Sequence, residues 1–134
     1  VKEIQPYNRD AALEQLRGSG MSEANLCLSR MWIYQRDLEY QMHLYANRKS
    51  EHGRLLGRKV IEARMAGEKS ADVAAMKAEQ DDEVFNAHLA YRVAEQMITA
   101  DKEALRILHS QLDQLRTEAA DRRAADQFQA RTQP

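Results

Sequence analysis

Apolar side chains recur through the second half of the chain at alternating steps of three and four. One ladder runs Val84, Tyr91, Ile98, Leu105, Leu112, Ala119; the other runs Ala87, Ala94, Asp101, Leu108, Leu115, with Arg122 next in line. This is the a/d pattern of a helix that buries a narrow seam against another helix. The seam needs a partner, from the same chain or from another copy. Val84, Tyr91, Ile98, Asp101, Leu105, Leu108, Leu112 and Leu115 are accordingly assigned to an oligomer interface.

The first half carries a looser ladder. A helix from about Ser22 to Ala66 would bury Leu28, Met31, Leu38, Met42, Tyr45, His52, Leu56 and Ala63. Gln35, Lys49 and Lys59 fall on seam-like positions. Gly53 and Gly57 weaken the middle by about 1 kcal/mol each relative to alanine, which predicts a bend or a close helix approach. Upstream, Asn8 can cap a short helix reaching about Arg17, closed by Gly18-Ser19-Gly20. Gly67-Glu68-Lys69-Ser70 is the best break: Gly67 suits the left-handed position after a helix, and Ser70 can cap the next. A second long helix then spans about Ala71 to Phe128.

These elements predict an all-α fold, an elongated antiparallel helical hairpin with a short N-terminal helix. Residues 1–20 form the lead-in, 21–128 the hairpin with its break near 67–70, and 129–134 a frayed polar tail. Folding the chain about residue 68 sets Arg54, Arg58 and Lys59 against the acidic restart around Glu79, Asp81, Asp82 and Glu83. Each exposed pair is worth only ~0–1 kcal/mol, yet together they favour one register.

Composition agrees with rods. Prolines occur only at positions 6 and 134, so nothing between them forbids a long helix. A net charge of −1 gives no bulk argument for nucleic acid or membrane. The lone Cys27 cannot form an internal disulfide and reads as a small buried apolar residue in a reducing cytoplasm. With no run of about 20 apolar residues and no signal peptide at its start, a soluble cytoplasmic protein without membrane partner is expected.

Enzyme chemistry is not expected, and neither cofactor nor metal. His43, His52, His88 and His109 lack the i,i+4 spacing of a helical metal pair. Asp81-Asp82-Glu83 reads as a solvated acidic face, because adjacent helical residues point in different directions. Asp101 at a d position reads as a polar seam residue that fixes register or subunit number. Trp32, Tyr34, Tyr40 and Tyr45 gather in one stretch, as packing residues or as stacking platforms for unpaired bases.

The most function-like feature is the basic stretch Arg48, Lys49, Arg54, Arg58, Lys59, Arg64 and Lys69. Cations for phosphates beside rings for bases are what sequence-independent binding of a single strand requires. These seven are the candidate nucleic-acid contacts. Against them stands neutralisation by the acids of the second helix.

The order of parts carries a likeness. A basic half from Arg48-Lys49 to Lys59 leads to the Arg64-Met65-Ala66-Gly67 break. The acidic restart Asp81-Asp82 follows, then Tyr91-Arg92-x-Ala94-Glu95 and Leu105-Arg106-x-Leu108. Over roughly residues 24–120 this resembles the small helical proteins of phage recombination modules, the UvsY-type recombination mediators among them. The resemblance implies a homo-oligomer that binds single-stranded DNA and helps load a recombinase onto strands coated by single-strand-binding protein. It also implies that the seven cations contact DNA.

Two other readings remain beside a recombination accessory scaffold. One is a protein-binding coiled coil such as an export stalk or chaperone of the FliJ type, whose polar tail the ending Ala125-Asp126-Gln127-Phe128 is similar to. The other is a phage-encoded inhibitor docking on a host protein.

Overall fold

The computed structural model describes residues 5–133. It is an all-α helical hairpin, with α1 at Arg9–Gln15, α2 at Glu23–Met65, α3 at Ala71–Glu79 and α4 at Asp82–Thr132. Polar side chains set the helix starts. The Asn8 carboxamide accepts from the Ala11 amide at 3.0 Å, the Ser22 hydroxyl from Asn25 at 3.3 Å, and Ser70 from Val73 at 3.4 Å. Each satisfies an amide that the first turn leaves without a helical partner.

The end of α2 is a Schellman turn. Gly67 takes φ 107°, its amide donates to the Arg64 carbonyl, and the Glu68 amide donates to Ala63. Only glycine adopts that φ without a Cβ penalty, so the chain reverses there. A second break lies at Gln80-Asp81, inside what the sequence pattern reads as one helix. The Asp81 carboxylate accepts from the amides of Glu83 at 2.9 Å and Val84 at 3.4 Å, and so starts α4 afresh. At the other end α4 continues to Thr132, so the expected frayed tail is helical for four residues past Phe128. Residues 1–4 of the lead-in and residue 134 of that tail lie outside the described residues.

The chain divides into two compact units, one made chiefly of Leu38–Thr99, the other of Pro6–Asp37 together with the chain from Ala100 onward. In the first, α2 and α4 run antiparallel. Tyr45 meets Tyr91, His52 meets His88, and Lys59 reaches Asp81. Its buried apolar residues are Leu38, Ala74, Ala78, Val84 and Ala94, three of them alanines whose small side chains let helices approach closely. A strict mirror about residue 68 would set Lys59 opposite Lys77; the observed Asp81 lies one turn further, because α3 takes up the intervening chain.

In the second unit, Cys27, Leu108 and Leu112 form the core, with Ala24, Met31, Tyr34 and Leu115 packed around them. The Cys27 thiol donates to the Leu108 carbonyl at 3.1 Å. Burying each of the two leucines contributes about 1.5–3 kcal/mol.

The expected inward face of α2 holds at Leu38, which is buried, and at Met31, Tyr45, His52, Leu56 and Ala63, which are half-buried, and departs at two positions. Leu28 is 39% exposed and Met42 52%, while their neighbours Cys27 and Gln41 are buried. Gly53 and Gly57 mark neither a close approach nor a break: a Cβ placed on either would meet no atom within 4 Å, and α2 runs through both.

Candidate nucleic-acid interface

The seven cations of the basic stretch do not share one surface. Arg54 and Arg58, four residues apart, stand exposed on α2 beside Glu51 and Leu55. Among the described residues neither joins an ion pair. Exposed Ile61 and Met65 continue the same row at helical spacing. Arg64 is exposed, with a guanidinium nitrogen donating to the Lys69 carbonyl at 3.0 Å, and Lys69 is exposed as well.

The other three are engaged within the hairpin. Arg48 donates to the Ala90 carbonyl at 3.3 Å. Lys59 lies 3.5 Å from Asp81 and 3.6 Å from Glu62. Lys49 donates to the Tyr45 hydroxyl at 3.3 Å and sits over that ring. The expected opposition of basic and acidic ends thus reduces, among the described residues, to the Lys59–Asp81 pair. That pair leaves its mark: Asp81 and Glu62 hold the Lys59 ammonium above its ordinary range. Burial works to raise the Asp81 carboxyl, but the amides of Val84 and Glu83 and the Lys59 charge bring it below the usual value.

The aromatic residues are also dispersed. Tyr45 is half-buried edge-on to Tyr91, 6.0 Å between centroids, and Tyr91 packs in turn on His52 and His88 at 5.2 and 4.9 Å. Desolvation and the neighbouring His88 lower the basicity of His52. Tyr34 belongs to the other unit, where the Arg9 guanidinium lies 5.5 Å from its ring centre. Trp32 is 72% exposed in that unit, at the rim of a groove with Leu28, Met31, Gln35, Leu105 and His109. Tyr45, a ring beside the stripe, is thus spent on packing against Tyr91.

Half of the residues assigned to an oligomer interface are already covered within the chain. Val84, Asp101, Leu108 and Leu112 are buried within the single chain, and Tyr91, Ile98, Leu105 and Leu115 are half-buried. The buried part of the α4 seam packs against α2 within the chain. Asp101 does not set subunit number across a seam; it receives the Arg9 guanidinium at 3.0 Å.

Two features escape a hydrophobicity reading. Asp81 is the α4 cap, and its signal was available in an aspartate followed by two further acids, the composition of a helix first turn. The Arg9–Asp37–Asp101 cluster joins residues 92 positions apart and left only one trace, a carboxylate on a d position.

Among the described residues, no group of three or more His, Cys, Asp or Glu side chains could hold a metal ion. Likewise, no helix is long and apolar enough to cross a membrane. No family model, curated protein or solved structure matches the chain.

Proposed function

We propose that this chain is a non-enzymatic accessory protein of DNA recombination, a cytoplasmic homo-oligomer that binds single-stranded DNA. The observation that carries the reading is the pair Arg54 and Arg58, exposed one turn apart on α2 and outside any ion pair among the described residues. With Arg64 and Lys69 they offer phosphates the four exposed cations of the stretch that are not spent on a ring. The exposed Ile61 and Met65 in the same row supply apolar contact for sugars and bases. Four cations bind a strand weakly, so the mechanism rests on copies of the chain arrayed along it, where avidity multiplies weak faces. A recombinase and single-strand-binding protein are the further partners in this reading.

The test is fluorescence anisotropy of labelled poly-dT across a salt series. Each phosphate neutralised on a single strand contributes a slope of about −0.7 in log affinity against log salt. Four contacts predict about −3 per chain, and a Arg54→Ala/Arg58→Ala double variant should bring this near −1.4. Absent or salt-insensitive binding by the wild-type chain removes the proposal.

A second reading, a hairpin that binds another protein, has its own support. Phe85, Leu89 and Val93 recur every four residues along α4 and are each more than half exposed. Charge is a poor description of that face, and a row of this kind suits an amphipathic helix. Under this reading the strand assay is silent, and Leu89→Glu abolishes capture of the partner.

A further inference from the structure

The α2–α4 seam of the Leu38–Thr99 unit holds a histidine pair that neither reading uses. His52 on α2 and His88 on α4 face each other with ring centres 5.2 Å apart and planes inclined by 61°. Neither has a histidine four residues away on its own helix, so the pair forms only across the hairpin. Tyr91 packs against both rings, at 5.2 Å from His52 and 4.9 Å from His88, and fixes their positions. Among the described residues, no hydrogen bond joins a ring nitrogen of either histidine to another protein group. His52 is half-buried and His88 exposed, so solvent reaches the pair. Two charged groups flank it. The Glu79 carboxylate at the end of α3 attracts positive charge at His52, and Arg48, one turn before His52, gives its guanidinium to the Ala90 carbonyl.

Imidazole nitrogens without another partner are ligands for borderline divalent ions, Zn2+ and Cu2+ among them. The observed separation fits such an ion. A tetrahedral metal about 2.0–2.1 Å from each ligating nitrogen stands about 3.2 Å from each ring centre, which sets the two centres about 5.2 Å apart. The Cβ–Cγ bond of histidine points at the ring centre, so turning χ2 re-aims the nitrogens without moving that centre. This torsion is broad, and the distance between centres is therefore the quantity the backbone fixes. The inclination of the planes is no obstacle, since an imidazole can turn about its bond to the metal. Desolvation and the neighbouring His88 hold His52 below its ordinary basicity, which favours the neutral ring that a metal needs.

We propose that His52 and His88 form a two-histidine site for a divalent transition ion of the Zn2+ kind, which bridges α2 and α4 while water completes its coordination shell. One ligand comes from each long helix, so the bound ion ties α2 to α4 at this level. Its binding energy is added to the folded state, because the two rings meet only when the hairpin is closed.

Imidazole proton resonances of the full chain, followed by NMR during titration with zinc chloride, test the site. The chain carries its own controls: its other two histidines, His43 and His109, are exposed and stand outside the ring cluster. His52 and His88 should shift together, at zinc concentrations about tenfold below those that move His43 and His109, since two ligands on one scaffold act as a chelate. His88→Gln should weaken the response of His52 by about tenfold, into the range of the single histidines, and His52→Gln should do the same to His88. Responses of all four histidines over one concentration range would overturn the site. So would separate responses of His52 and His88, or an unchanged response of one after the other is replaced. Should a variant lose its helical circular dichroism, the comparison of the four histidines in the wild-type chain decides alone.

Discussion

Truncating Leu108 to alanine tests whether the α4 seam is filled from inside the chain. Leu108 is 6% exposed and packs with Cys27 and Leu112, both buried on the same cluster. Leucine-to-alanine changes at such sites cost about 2–5 kcal/mol, the transfer term plus the cavity left behind. A core only two helices thick can partly collapse around the gap, which points to the lower half, about 3 kcal/mol. For a chain of 134 residues this lowers Tm by about 10 °C. Thermal melts followed at the helical circular-dichroism band measure it, run at two protein concentrations about twentyfold apart. If α2 fills the seam, the loss in Tm is the same at both, since no other copy contributes to the site. A loss that shrinks as concentration rises would mean that Leu108 is covered between copies, and the intramolecular assignment would be refuted.

Three further outcomes follow from geometry already described. Asp81→Ala removes the acceptor of two first-turn amides and should cost about 1 kcal/mol, read as a drop in the denaturant midpoint. The same change cuts the Lys59 contact, so Lys59→Ala in that background should cost less than in the wild type. Gly53→Ala and Gly57→Ala should each raise stability by about 0.5–1 kcal/mol, since both lie inside α2 with open space around a new methyl group. A loss of stability at either glycine would show that the helix is tighter there than its surroundings indicate.

How far these features could be read from residues alone differs between the two long helices. In α4 the inward positions are apolar almost without exception, so period and face are plain, and Val84, Ala94, Leu108 and Leu112 lie buried where the heptad puts them. In α2 the inward face carries Asp37, Gln41, Arg48, His52 and Lys59, each with a partner. Hydrophobicity finds Leu38, Met31 and Tyr45 there but adds Leu28 and Met42, which the structure leaves outside, and passes over the polar inward positions. A polar group can sit inward when something on the facing helix receives it, and that something is far away in sequence. The same reason hid the split of the basic stretch. Arg54 and Arg58 look no different in the sequence from Arg48 and Lys59, and only the α4 backbone and Asp81 tell them apart. The breaks divide similarly: Gly67 announces itself by residue type, whereas Gln80-Asp81 interrupts a pattern of good helix formers.

The ring stack of Tyr45, His52, His88 and Tyr91 carries a consequence for how this chain can change length. Sliding α4 by one heptad would bring Ile98 to the place of Tyr91 and leave His52 facing an aliphatic side chain. Adding one residue between Tyr45 and His52 would swing one of them off the facing helix by about 100°. Growth or shrinkage in this stretch has to come as matched seven-residue blocks in both arms at once. The Ala66–Ser70 corner, by contrast, can absorb single insertions, so variation in length should concentrate there.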